Sequence, residues 1–417
     1  GQVLSVTDAL DRTMSFAYDP MGNLTEQTDA LGQATRYDYD EAGRLTAMTD
    51  ALGQGTTYAY DQVAGTTTIT DPAGHRRVAS FDSAGRLSAW TDAIGATTRW
   101  EYDIYGRVAR VMDPLGHATA YAYDELGRLG SMTDPRGSAT SYQYDEAGRV
   151  AEVGYPDGGL TRYQYNPDGR PVAVIDPLGA ETALAYSPGG KLLTVTDALG
   201  GVRRLSYDAA GQIMAVADPN EATTSYTYDE RGRVTSVTDP TGAIQALRYD
   251  AAGNLLAVTD ALGGVTAFTY DDLNRLTSQT DALGGVTRLA YDAVGRVVER
   301  TDPLGRTSRL AYDASGLLTS LTDPAGAVTR FDYDGEGRQV RRTDPLGQDW
   351  TRSYDLTGRV VAETDPLGSE THYAYDEAGN LSALTNPAGN STHYDYDWAG
   401  RLTRVVDALG GDTAYAY

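Results

Sequence analysis

Short stretches of this chain alternate between apolar and polar residues, and Asp and Gly interrupt them at fixed intervals. In one such stretch Thr140, Tyr142 and Tyr144 share a face while Ser141 and Gln143 take the other. A period of two over four to eight residues predicts a half-covered β-strand. The intervening segments, such as Arg44-Leu45-Thr46-Ala47-Met48-Thr49, are less regular. Their common apolar positions have opposite parity, so either both faces are partly covered or a bulge separates them.

The pattern is a repeat. Residues 39–59 give one copy, YDEAGRLTAMTDALGQGTTYA, and counting Tyr39 as position 1 the next copies start at Tyr60, Phe81, Tyr102 and Tyr123 and run on to Tyr417. The spacing is 21 residues throughout, and position 1 is Tyr in 19 of 20 copies. A fixed period of this length marks a repeat architecture. The chain reads as a single array over 1–417, in constant register from Tyr18 to Tyr417, with no separate domain.

Each repeat carries two D-x-x-G turns. The first fills positions 2 to 5, as in Asp40 to Gly43, Asp124 to Gly127 and Asp376 to Gly379. The second fills positions 12 to 15, as in Asp50 to Gly53 and Asp134 to Gly137. Asp at the first place of a type I turn accepts N–H bonds from the residues ahead, and Gly at the fourth takes positive φ. Position 13 is Pro or Ala in every copy, and Pro presets φ for that turn. A type I turn followed by a left-handed Gly makes a hairpin with a G1 bulge. Tyr39, Asp40, Gly43, Asp50 and Gly53 are therefore the expected structural determinants, with Tyr123, Asp124, Gly127, Asp134, Gly137, Tyr375, Asp376 and Gly379 in later copies.

Strands are predicted at positions 6 to 11 and from 16 to position 1 of the next repeat. Two reversals per repeat imply an all-β antiparallel meander of about 40 strands, about 20 Å wide and about 190 Å long. Sheet twist would coil such a strip into a spiral shell or superhelix. The competing geometry is a β-solenoid with one coil per repeat, which would stack Asp on Asp at about 4.8 Å. No repeat can bury enough of itself to fold alone, so each depends on its neighbours.

Composition changes this picture little. The formal charge is -24, but 35 of the 58 acidic residues sit at the two turn-opening positions, so the acidity is mostly turn chemistry. It still argues against nucleic acid as a partner. Cys is absent, which excludes disulfides and thiolate metal sites. No apolar run approaches the ~18 to 20 residues of a membrane-spanning helix. The sequence opens at Gly1 in mid-repeat without a signal peptide and reads as a piece of a longer polypeptide.

Candidate chemistry is sparse. His75 and His117 follow the second turn and His372 and His393 lie on strands, all expected to be solvent-exposed. Asp38 with Asp40, and Asp395 with Asp397, suggest calcium but lack the remaining ligands of a calcium loop. Arg stands at position 6 in 12 copies and is expected to form surface ion pairs with the turn Asp residues. Arg338, Arg341 and Arg342 read as a solvated patch. The Tyr faces could stack sugar rings, although their repetition favours packing. No cofactor and no catalytic constellation is implied. From Gly154 to Lys191 the turns become Tyr155-Pro156-Asp157-Gly158, Asn166-Pro167-Asp168-Gly169 and Ser187-Pro188-Gly189-Gly190, and a local change of curvature is expected there. At Ala64-Gly65-Thr66 the Gly is displaced by one place.

The signature YDxxGRLxxxTDPLGxxTxY, nearly intact at residues 123–142, resembles the YD repeat of the Rhs and teneurin group, and the resemblance covers the whole chain. It implies a β-strip spiralling into a hollow shell. In bacterial members such as Rhs effectors, insecticidal toxin-complex C components and wall-associated polymorphic toxins the shell encloses a C-terminal toxin domain, whereas animal teneurins use it in adhesion. The toxin-carrying members have a DPxGL autoproteolytic motif. Here the DPLG copies are followed by His117, Ala180, Arg306, Gln348 and Ser369, never Leu. The expected function is a non-enzymatic shell wall of a secreted or cell-surface protein. Its expected partners are neighbouring repeats and an enclosed toxin domain or cell-surface glycan. The alternative is an open surface fibre or adhesin without cargo.

Overall fold

A computed structural model describes residues 1–417. The chain forms 40 β-strands, from Ser5–Thr7 to Asp412–Ala414, and no helix. It packs as two compact units. The first comprises Gly1–Tyr121, Thr133–Ser138 and Arg288–Tyr417, and the second Ala122–Met132 and Ala139–Thr287.

In both units consecutive strands pair antiparallel, as a meander requires. In the first, Leu45–Thr49 pairs with Ala34–Tyr39 on one side and with Gly55–Asp61 on the other. In the second, Pro171–Ile175 lies between Leu160–Tyr165 and Glu181–Tyr186. This excludes the solenoid, in which each strand would face its own counterpart one repeat away. The strands begin one residue later than predicted. Positions 6 and 16 instead close the turns, Arg44 O accepting from Asp40 N at 2.9 Å and Gln54 O from Asp50 N at 3.0 Å.

The parity conflict resolves as a bulge. Asp38 pairs with Ala47 but Tyr39 pairs with Leu45, which leaves Thr46 unpaired. The same slip in the second unit skips Val172, between Gln164↔Ala173 and Tyr165↔Pro171. Positions 7 and 10 therefore lie on the face of the position-1 Tyr. The repeat with the displaced Gly has no slip: Tyr60 pairs with Thr67 and Asp61 with Thr66. That repeat also precedes Phe81, the one copy without a Tyr hydroxyl; there Phe81 N donates to Gly65 O at 2.8 Å. The departing turns at residues 155–158, 166–169 and 187–190 keep the same backbone closure, each with Gly N to residue-i O at 2.9 Å. Asn166 Oδ1 and Ser187 Oγ stand in for the Asp carboxylate.

Neither unit builds a closed hydrophobic core. Only Ala79, Ala96, Ala173, Ala257 and Thr161 are buried, and no large side chain is fully buried. The accessible surface is 23818 Å², against about 16,000 Å² for a compact globule of this mass. Stability must come from the hydrogen-bond ladders, the turns and contacts between repeats.

Three turns close on a residue other than Gly at positive φ: Asp11, Glu221 and Asn274. Asn tolerates this conformation, but Glu221 at φ 65 has no such excuse. Its contact with Arg204 is long, 3.6 Å, and exposed. Glu221→Gly is expected to stabilise the chain by about 1 kcal/mol, read as a higher urea midpoint at unchanged slope.

Candidate functional site: the repeat link and the strip seam

The recurring positions of the repeat converge on one link. Asp40 Oδ1 accepts from Ala42 N at 3.0 Å and Arg44 N at 2.9 Å, while Oδ2 accepts from Arg44 Nε at 2.7 Å. The Arg44 N–H and guanidinium hold the Asp40 carboxyl below its ordinary range. Gly43 sits at φ 75 and donates to Asp40 O. The second turn is similar: Asp50 Oδ1 accepts from Leu52 N and Gln54 N, and Gly53 takes φ 78. Tyr39 closes the link backwards, its hydroxyl donating to Leu24 O at 2.9 Å, and burial raises its pKa.

The Arg completes it. Arg44 lies over the ring of Tyr60, 4.5 Å from its centre, and the Tyr60 hydroxyl donates to Leu45 O at 2.8 Å. In Arg44, Arg86, Arg233 and Arg296, among others, the position-6 Arg is thus clamped between its own Asp and the next repeat's Tyr, whereas Arg170, which follows Asn166, pairs with Asp168. In the second unit Arg149 lies between Asp145 and Tyr165 in the same way, with Tyr165 OH donating to Val150 O. The expected surface ion pair is corrected: Arg338 is only 20% exposed, because the neighbouring repeat covers it. The position-1 Tyr rings beneath these arginines are not open sugar platforms, since one face carries a guanidinium.

The later copies repeat this. Asp124 accepts from Leu126 N, Arg128 N and Arg128 Nε, and Gly127 is at φ 82. Arg128 in turn lies over the Tyr144 ring. Tyr123 stands at the end of strand Ala118–Tyr123. Asp134 accepts from Ser138 N and, at 3.3 Å, from Arg136 Nε; Gly137 is at φ 84. Asp376 accepts from Ala378 N, Asn380 N and Asn380 Nδ2, with Gly379 at φ 89. Tyr375 donates to Val360 O at 2.8 Å beneath Arg359, which is held by Asp355 at 2.7 Å.

This link predicts a measurable coupling. Arg359→Ala removes a half-buried ion pair and a cation–π contact and is expected to cost about 1–2 kcal/mol. Tyr375→Phe removes one hydrogen bond, about 1 kcal/mol. In a double-mutant cycle followed by urea unfolding the two losses should be non-additive, because both act on one cluster.

A second feature lies within the first unit, where turns far apart in sequence meet. Glu336 Oε1, on a first turn, accepts from Arg77 Nε at 3.0 Å and from the backbone N of Ala93 at 2.7 Å. Arg77 Nη2 also donates to Gly335 O at 3.2 Å. Gly335 approaches so closely that an added Cβ would stand 3.3 Å from both Ala93 Cβ and Ala93 O. Further along, Arg136 donates to the carbonyls of Asp397 and Trp398 at 3.2 and 3.1 Å. The partners are separated by 259 and 261 residues. In both places second-turn-edge residues of early repeats meet a first turn of a late repeat, so the strip returns onto its own edge. Sequence reasoning did not find this seam.

Other expectations are corrected here. His75 and His117 are only partly exposed and not free: their Nδ1 atoms lie 3.0 Å from Asp71 and Asp113 Oδ2, so they occupy the place of the position-6 Arg at the second turn. Burial pushes the Asp71 carboxyl up, but hydrogen bonds from His75 outweigh it and leave the pKa lowered. His372 and His393 are exposed, His372 being 3.3 Å from Glu370. Arg338, Arg341 and Arg342 do not form one patch. Arg338 belongs to a repeat link, Arg341 is 3.7 Å from Asp332, and Arg342 covers Trp350 at 4.8 Å. The carboxylates weighed for calcium are engaged with arginines, Asp40 with Arg44, Asp397 with Arg401 and Asp395 near Arg404, as turn and surface partners. Near Trp350 the apolar face carries charge: Arg352 Nε donates to Glu363 at 2.6 Å and Tyr373 OH to the same carboxylate at 2.9 Å. The signal was available in the sequence, since Arg342 and Glu363 occupy position 10, where most repeats are apolar.

Comparison with known proteins agrees with this geometry. The family model described as Teneurin YD-shell matches residues 56–220 and 202–351. That described as RHS Repeat matches residues 1–34, 22–54, 354–391 and 375–412. No curated protein sequence matches the chain. Among solved structures, the fold is similar to the Photorhabdus luminescens Tc holotoxin pore carrying a TccC3 mutation, with TM-score 0.77 and 17% identity over 96% of this chain and 26% of that one. It is similar also to TcdB2-TccC3-TEV, with TM-score 0.78 and 17% identity over 95% and 26%. For TcdB2-TccC3 the TM-score is 0.64 at 17% identity, over 97% and 30%. At such identity the likeness is one of fold. The chain spans about a quarter of the length of the first two solved chains.

Proposed function

Because the chain belongs to the teneurin YD-shell family, we propose that it is one continuous array of repeats forming part of the wall of a hollow shell, and that this shell encloses a toxin or other cargo. The observation that carries this reading is the seam. Glu336 seals one edge of the strip to another through the Ala93 backbone and Arg77, and a strip that seals to its own edge separates two sides, as a container wall must. We read the wall as non-enzymatic, since the recurring Asp, Arg and Tyr of the repeat are committed to turns and links. That its structural neighbours are Tc toxin proteins supports a toxin-type cargo and a secreted or cell-surface site of action.

Cryo-EM of the intact polypeptide that carries this array tests the reading. A sealed particle with density inside supports encapsulation. A solvent-filled superhelix open at its ends overturns it and favours the rival reading, a surface fibre or adhesin, for which the unbroken 21-residue period speaks.

A further inference from the structure

On the sheet face that carries the position-1 Tyr, two successive repeats of the first unit break the apolar pattern together. Position 10 is most often Val, position 18 Thr and position 20 Tyr, yet here these places hold Arg342, Trp350, Arg352 and Glu363, and Gln339 replaces the usual Leu or Val of position 7. The five lie on the successive strands Gln339–Thr343, Asp349–Tyr354 and Val360–Thr364. They surround a cavity of about 270 Å³ that Ser369 and Thr371 also line. Most of its charge is matched internally. Glu363 Oε1 accepts from Arg352 Nε at 2.6 Å and Oε2 from the Tyr373 hydroxyl at 2.9 Å. Asp365 serves its own turn, accepting from Leu367 N and Ser369 N at 2.8 Å each. Arg342 is the exception. It is exposed, stands between Phe331 and Trp350 across the ladder, lies over the Trp350 ring at 4.8 Å, and forms no ion pair.

We infer that this pocket binds a small hydroxylated carboxylic acid, of the size and chemistry of a single sugar acid. A guanidinium lying over an aromatic ring keeps its edge N–H groups free and takes a carboxylate through two parallel hydrogen bonds. Gln339, Ser369 and Thr371 supply neutral donors and acceptors for hydroxyl groups, and Glu363, fixed by Arg352 and Tyr373, supplies a charged acceptor. The fold alone does not call for Arg342, because Arg352 and Glu363 satisfy each other and Val fills position 10 in other repeats. Arg300 is the same residue at the same position two repeats earlier, but its cross-strand partners are Leu289 and Ser308, so it has the charge without the aromatic platform. A neighbouring coil would not fill the pocket. At the internal seam, where a second coil is in place, Val111 at position 10 and Thr98 and Thr119 at position 18 still line a cavity of about 430 Å³ with Thr357 and Arg359. A coil laid along residues 344–389 in a longer polypeptide would therefore roof the site and leave its floor open. The inference does not depend on the presence of cargo.

The experiment titrates the purified 417-residue chain with D-glucuronate, and with D-glucose as the neutral control, by calorimetry and Trp fluorescence. Saturable binding of glucuronate is expected, weaker at high salt and absent for glucose. Arg342→Val and Trp350→Thr install the residues commonest at their positions, so the fold should be kept, and far-UV circular dichroism checks this separately. Arg342→Val should weaken binding about tenfold or more. Trp350→Thr should weaken it too and remove most of the fluorescence change. Arg342→Lys keeps the charge but loses the planar fork and should fall between Arg342→Val and wild type. Arg300→Val should leave binding unchanged. A chain that takes up no glucuronate saturably overturns the inference, as does equal binding of glucose. So do an Arg342→Val variant that binds like wild type, or an Arg300→Val variant that loses as much as Arg342→Val.

Discussion

Acidification is expected to unfold the strip in a narrow window below the ordinary carboxylate range, about pH 4, while leaving it unchanged between neutrality and about pH 5. The cause is repeated along the chain. At Asp40, Asp82, Asp124, Asp145 and Asp229 the turn N–H groups and the position-6 Arg hold the carboxyl pKa below its ordinary value. At Asp271, Asp292 and Asp355 burial pushes it up, but the same hydrogen bonds win and the pKa is again lowered. A folded pKa below the unfolded one means that the unfolded chain binds more protons in the window between them. The contribution is fully present above the unfolded value and is lost as pH falls through the folded one. Each turn contributes modestly, since most are solvent-exposed and screened. Their number makes the transition steep, because every repeat depends on its neighbours. Circular dichroism against pH measures the transition, and hydrogen exchange at moderately low pH locates it. The turns at Asn166, Ser187 and Asn386 provide an internal control. Their side-chain oxygens accept the same N–H bonds without titrating, Asn386 Oδ1 from Ala388 N and Asn390 N at 3.0 Å each. Protection should persist longest around them. Protection that falls evenly along the chain would show that the turn carboxylates do not govern acid unfolding.

What could be read from the sequence was whatever depends on residues close together. Asp at the first and Gly at the fourth place of a turn act within five residues, so both reversals, the meander and the family resemblance were legible. The bulge was visible only as a conflict between positions 7 and 10. Choosing Thr46 as the unpaired residue requires the register opposite Tyr39, which the sequence of one strand does not contain. The link was half legible. Arg44 and Asp40 are four residues apart, but Tyr60 reaches Arg44 only because the intervening hairpin brings it back across the strip. Reading that Arg as a surface ion pair left out the neighbour that covers it. The seam was beyond reach, since which turns meet after some 260 residues depends on small rotations summed over many strands. Locally Asp334-Gly335-Glu336-Gly337 differs from its sister turns in two residues, Glu336, the only Glu at position 4, and Gly335, whose missing side chain lets Ala93 approach, but neither says which distant turn it meets.

That approach makes Glu336 the residue whose loss should most loosen the seam, with Arg136 left as its second contact. Glu336→Ala leaves the Ala93 N–H without its acceptor and the half-buried Arg77 guanidinium without its nearest carboxylate, at 3.0 Å, retaining Asp71 at 3.6 Å and the Gly335 carbonyl at 3.2 Å. Losing two charge-assisted hydrogen bonds at a partly exposed site is expected to cost about 2–4 kcal/mol. The loss should fall on coil-to-coil contact rather than on the ladder. Far-UV circular dichroism should therefore be unchanged at neutral pH. Exchange should quicken at the Ala93 amide, and small-angle scattering should show a larger radius. Glu336→Gln separates charge from acceptor: it keeps an oxygen for Ala93 N–H but weakens the hold on Arg77, and an intermediate effect is expected. Gly335→Val attacks the same contact sterically, placing a branched Cβ where 3.3 Å is available. If Glu336→Ala instead lowers ladder content across the first unit, the seam is part of the folding nucleus of the strip. If neither Glu336→Ala nor Gly335→Val changes exchange at Ala93, the seam contributes nothing to the wall, and the container reading loses the observation on which it rests.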